Sequence, residues 1–106
     1  MLMHVVLATW KPDVAARDVT EIHTAVARFA HEIPSVLLVR AGTDLQLHDQ
    51  NADFGMTAVF ADEQGLKEFA AHPAHLWVSQ RLATMVASVT RIQFPLADGD
   101  PIATIA

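Results

Sequence analysis

The sequence predicts an α+β fold, a four-stranded antiparallel sheet with helices packed on one face. Three observations carry this. Short apolar, β-branched runs alternate with longer stretches in which apolar residues recur every three or four positions. The elements follow the order strand, helix, strand, strand, helix, strand. Of the 106 residues 52% are hydrophobic and 18% charged, which supplies apolar side chains for more than one face of a small sheet.

Leu2 to Thr9, with Val5 and Val6 inside it and Trp10, Lys11 and Pro12 ending it, forms the first strand. From about Ala16 to Ile33, the residues Val19, Ile22, Val26, Phe29 and Ile33 fall three or four apart, with Glu21, Arg28 and Glu32 between them. That pattern is one amphipathic helix, stopped by Pro34. Val36 to Val39 begins a second strand, which the alternation of Leu45 and Leu47 with Gln46 and His48 extends, with a bulge or bend at Gly42. Asp49, Gln50, Asn51 and Asp53 make a solvated polar turn, and Phe54 to Phe60 returns as a third strand. Asp62 caps a helix carrying Leu66, Phe69 and Ala70, which breaks at His72 and Pro73 and restarts through Leu76, Trp77, Leu82 and Met85. Val86 to Phe94 is the fourth strand, ended by Pro95.

One domain over residues 1–106 is expected, with its core at about 2–96 and a tail at 97–106 whose apolar end, Ile102 to Ile105, packs across a partner subunit. The element order is that of a ferredoxin-like βαββαβ unit. Its first strand is apolar on both sides, with Leu2, Val6, Ala8 and Trp10 on one and Met3, Val5 and Leu7 on the other. The face away from the helices therefore needs a cover, and a second copy of the chain supplies one.

Seven basic residues against twelve acidic ones give a net charge of −5, and the basic residues are scattered, which leaves nothing for a nucleic-acid backbone to bind. His4, Lys11 and Asp13 interrupt the one apolar stretch near the N-terminus, so no membrane span is expected. No basic residue precedes that run and no small-residue cleavage site follows it, so no signal peptide is expected, and a cytoplasmic location follows as the default. The absence of cysteine removes disulfide and thiolate chemistry. No cofactor is expected.

Five blocks, in order, carry a resemblance: Met3-His4-Val5-Val6-Leu7, Lys11-Pro12-Asp13, Ile33-Pro34-Ser35-Val36, Phe69-Ala70-Ala71-His72-Pro73-Ala74-His75 and Ser88-Val89-Thr90-Arg91-Ile92-Gln93-Phe94. Together they resemble the stress-responsive A/B barrel domain over about residues 2–96. The resemblance implies a homodimeric α/β barrel with a cavity in each subunit between sheet and helices. Similar proteins include plant stress-induced proteins and a polyketide cyclase that closes a tetraketide by aldol chemistry. In that cyclase the second histidine of His-Pro-Ala-His, here His75, is the general base, and a tyrosine stands where this chain has Phe69. Its third-strand pocket histidine is matched by Met56, and its first-strand histidine by His4. Two of the four polar pocket groups are thus replaced by apolar ones.

With Pro73 first in its helix, His75 falls in the first turn, where the positive helix end favours a neutral imidazole able to accept a proton. It either serves there as a base or hydrogen-bonds across the strand–helix corner. His72 is the expected N-cap and shapes the corner. The spacing of His72 and His75 resembles that of metal ligands, but a proline lies between them and no carboxylate follows nearby, so no metal is expected. His4 is either a satisfied core group or a pocket group. His23, His31 and His48 are solvated.

The candidate set is therefore His75 as catalytic base, with His4, Met56, Phe69, His72 and Trp77 lining a ligand site. Phe69 and Trp77 flank the histidine corner and favour an aromatic or lipophilic ligand over a charged one. Three functions compete. The first is a homodimer that binds a small apolar or aromatic molecule in the barrel-side cavity. The second is a cyclase-like enzyme using His75 as general base. The third is a cofactor-free monooxygenase-like barrel.

Overall fold

The computed structural model describes residues 1–106. The chain runs β1 (Leu2–Trp10), α1 (Ala16–Ala27), α2 (Phe29–Glu32), β2 (Leu38–Thr43), β3 (Phe54–Phe60), α3 (Glu63–Ala71), α4 (Pro73–Met85), β4 (Val86–Pro95) and α5 (Ile102–Ile105). The strands form one sheet in the order β2-β3-β1-β4, antiparallel throughout. This is the ferredoxin-like arrangement.

Register decides which side chains meet. His4, Val6 and Ala8 of β1 lie opposite Ala58, Met56 and Phe54 of β3 and opposite Gln93, Arg91 and Val89 of β4. Successive strand residues point to opposite faces, so these share one face, the one under the helices. The core forms there: Ile22 of α1, Phe29 of α2, Phe60 of β3 and Phe69 of α3 are all at most 2% exposed. Burying each such side chain contributes about 1.5–3 kcal/mol. Met3, Val5 and Leu7 lie on the far face with Phe94, Ile92 and Thr90 of β4, and there Leu7, Ile92 and Phe94 remain 43%, 56% and 41% exposed.

Several expectations are corrected. The stretch from Ala16 to Ile33 is two helices, because the Arg28 N–H bonds back to the Ala25 carbonyl three residues earlier and tightens the turn. Ile22, Val26, Phe29 and Ile33 keep one stripe across the break, so periodicity does not register it. The second strand is shorter than the alternation of Leu45 and Leu47 suggests. Both are exposed, since the Asp44 carboxylate accepts from the Gln46 N–H at 2.8 Å and from Asn51 Nδ2 at 3.2 Å, folding the chain into a loop. Gly42 is not a bulge, because pairing runs unshifted from Leu38 to Thr43; the irregularity falls at Thr9 and Trp10 instead. Asp53 is no solvated turn residue. Its carboxylate accepts from the Trp10 N–H at 2.7 Å and its own N–H donates to the Ala8 carbonyl, which ties the loop to the irregular end of β1.

The tail after β4 turns into the short α5, with the Ile102 N–H donating to the Asp100 carboxylate at 2.9 Å. No helix is long and apolar enough to cross a membrane.

Candidate functional site

A cavity of about 530 Å³ lies between the inner face of the sheet and the helices, lined by 19 residues of which 14 are hydrophobic. Every element except β2 and α5 contributes to it. The gap exists because α4 presents Ser79 and Ala83, four residues apart and both small, where it faces β4. Those two, together with Arg91 and Gln93 of β4, are solvent-exposed, so the cavity opens between α4 and β4.

Its polar groups gather around β1, β4 and the start of α4. His4 accepts at Nδ1 from the Gln93 amide nitrogen at 2.8 Å, so in the neutral ring the proton sits on Nε2. His75 donates from Nδ1 to the Ala70 carbonyl at 3.1 Å, which fixes the opposite tautomer and leaves Nε2 as a bare lone pair. The Ala70 carbonyl is available because α3 ends at Ala71, two residues before Pro73 starts α4. Neither Nε2 has a protein partner and neither is sealed from open space. The site thus offers one N–H donor and one nitrogen acceptor, both on neutral rings.

Phe69 packs against both imidazoles, with its ring centroid 6.0 Å from that of His4 and 4.3 Å from that of His75. Burial is the main cause that holds both histidines below the ordinary imidazole value; at His4 the nearby His75 and then Arg91 add to it. At His75 the hydrogen bond to Ala70 opposes burial, and Arg91 reinforces it. Folding therefore binds fewer protons at these rings than the unfolded chain does. Their contribution is complete above the unfolded value of about 6.5 and shrinks as the pH falls through it toward the folded values. Urea midpoints are expected to drop between about pH 7 and pH 5 by less in a His4→Gln, His75→Gln double variant than in the wild type.

Of the candidate residues, His4, Met56, Phe69 and His75 line this cavity. His72 and Trp77 do not, and this corrects the expected set. The His72 ring is used as the cap of α4, accepting from the Ala74 N–H at 3.1 Å. Trp77 is on the opposite side of α4, 45% exposed, with the Arg81 guanidinium 4.7 Å from its ring centroid and Arg81 paired to Glu21 of α1. It borders a shallow groove between α1 and α4 that also holds Glu21, Arg28 and Glu32. His23, His31 and His48 are exposed. No three His, Asp or Glu side chains gather in a way that could hold a metal ion.

Arg91 and Gln93 are the site residues that sequence reasoning missed. The signal was there in β4, where Arg91 and Gln93 alternate with Ile92 and Phe94. Antiparallel pairing with β1 places the polar pair under the helices and the apolar pair outside, the reverse of a sheet whose far side faces water.

Fold and site together define a small ferredoxin-like α+β protein with an apolar cavity carrying a few convergent polar groups. The chain belongs to the stress responsive A/B barrel domain family, whose model matches residues 2–96. Among solved structures it is similar to a dimeric ferredoxin-like protein of unknown function from Thermobifida fusca, at 29% identity over 90% of both chains and a TM-score of 0.83. A dimeric ferredoxin-like protein from Bacteroides fragilis is 17% identical over 90% of this chain and 95% of its own, with a TM-score of 0.80. A hydroxynitrile lyase from Passiflora edulis is 13% identical over 94% of this chain and 96% of its own, also with a TM-score of 0.80. No curated protein matches the sequence.

Proposed function

We propose that this protein is a homodimer that binds a small, largely apolar molecule in the cavity between sheet and helices, with the molecule's polar end at His4, His75, Arg91 and Gln93. The observation that carries the reading is the cavity itself, about 530 Å³ with an apolar body and polar groups in one region. Ligand sites have this composition and size. The homodimer is supported by the apolar far face of the sheet and by the structural relatives described as dimeric.

A second reading, that His75 takes a proton from the bound molecule, is favoured by one feature. Its Nδ1–H is held by the Ala70 carbonyl, so the lone pair of a neutral imidazole is free at Nε2, which is what a general base requires. His4 Nε2–H is then the donor that can hold a carbonyl oxygen of the same molecule. The fold also carries a hydroxynitrile lyase in Passiflora edulis; that assigns no reaction here, since function follows the site and not the fold.

The test uses the neutral fluorophore N-phenyl-1-naphthylamine. Binding to the wild type is expected with a blue-shifted, enhanced emission, and Ala83→Trp, which fills the opening from an exposed helix position, is expected to weaken it at least about tenfold without unfolding the protein. Equal binding by both proteins would place the probe elsewhere and overturn the reading.

A further inference from the structure

The cavity wall contains no Asp or Glu, yet it contains Arg91. The ion pairs of the structure engage Arg17, Arg28 and Arg81, and Arg40 donates to the Val39 carbonyl. Arg91 has neither an ion pair nor a side-chain hydrogen bond. It lies opposite Val6 in the β1–β4 ladder, one residue pair along the same face from His4 and Gln93, and its charge reaches both imidazoles. A lone guanidinium at the edge of an apolar cavity is an arrangement that a bound anion completes, because guanidinium and carboxylate match as a two-bond fork. In a chain of net charge −5, an unpaired cation placed on the cavity side of the sheet is the feature that most distinguishes this site from a plain lipophile pocket.

We infer that the ligand is a monoanionic carboxylic acid, an aromatic or aliphatic body in the apolar part of the cavity with its carboxylate on Arg91 and the His4 Nε2–H. This rests on the cavity reading above and adds the ligand's charge to it, in place of the sequence-based expectation of an uncharged lipophile. A single charge is specified because one guanidinium balances one anion. The two histidines are held neutral and add donors or acceptors but no second positive charge, so a dianion would enter an apolar site half-compensated. The body is specified by Val78, Leu82, Val86 and Phe54, which leave it no polar partner.

The experiment compares 2-naphthoic acid with 2-naphthamide, which share shape and size and differ in charge at neutral pH. Titration calorimetry on the wild type is expected to show the acid binding about tenfold or more tightly. Arg91→Gln is expected to bring the two affinities within about twofold by weakening only the acid, and Arg91→Lys to restore part of the preference. Arg81→Gln, on the other side of α4, is expected to leave the ratio unchanged. Equal affinities in the wild type, or an acid preference that survives Arg91→Gln, would overturn the anion assignment and leave the cavity reading standing. If neither compound binds and N-phenyl-1-naphthylamine also fails, the cavity reading falls and this assignment with it.

Discussion

Ile92→Asp is expected to convert the protein from an assembly of twice the 11.6 kDa chain mass to the single chain, read by light scattering. Ile92 stands at the middle of β4 on the face away from the helices, directly opposite Val5, with Phe94 opposite Met3 beside it. It is the most exposed apolar residue of that face, at 56%. These side chains form one apolar surface on a regular sheet, and a two-fold related copy would remove it from water. A carboxylate there loses its hydration on association with no cation opposite, a cost of several kcal/mol that is counted once in each subunit. The far face holds none of the core under the helices, so the isolated chain should keep its secondary structure. Leu76→Asp, on the exposed surface of α4, should leave the mass unchanged. A wild type that already scatters as a single chain would remove the homodimer altogether.

Phe69→Ala is expected to lower unfolding stability by about 3–5 kcal/mol in urea titrations. Phe69 is 2% exposed and its ring packs 5.3 Å from that of Phe29 and 5.2 Å from that of Phe60, centroid to centroid. It also packs against both imidazoles. Truncation therefore removes the side chain that joins α2, α3 and β3, and the void it leaves opens onto an existing cavity, so the walls have little reason to collapse inward. Against a usual total of about 5–15 kcal/mol, that loss puts folding at risk. Phe69→Leu is the milder companion, expected to keep the fold while enlarging the cavity. A loss below about 1 kcal/mol for Phe69→Ala would mean that Phe69 is not central to the core.

Much of the architecture was legible because the periodicities were clean. The strand at Phe54 to Phe60, the cap at Asp62 and the restart at Pro73 stand where their residue types put them, since each depends on local backbone chemistry. The extent of β2 was not legible, because Leu45 and Leu47 imitate strand alternation while the Asp44 carboxylate holds the chain in a loop through bonds that no pattern encodes.

At the site, His4 and His75 could be nominated from residue type and resemblance. Their tautomers could not, because these are set by Gln93, 89 positions away from His4, and by a backbone carbonyl at the end of α3. Trp77 was misplaced for a related reason. Position in α4 put it near the histidine corner, but the helix turns it to the far side, where Arg81 covers it. Arg91 escaped notice because a charged residue on an edge strand ordinarily means a solvated face; only the pairing with β1 shows that its side of β4 is the inner one.

The most direct test of the cavity as the binding place is an NMR titration of the labelled protein with N-phenyl-1-naphthylamine, following imidazole ring and methyl signals. If the molecule enters between sheet and helices, the largest shifts fall on His4, His75 and the methyl groups of Val78 and Leu82, while Ile92 on the far face is unmoved. Shifts confined to Ile92 and Leu7, or to the surroundings of Trp77, would contradict it.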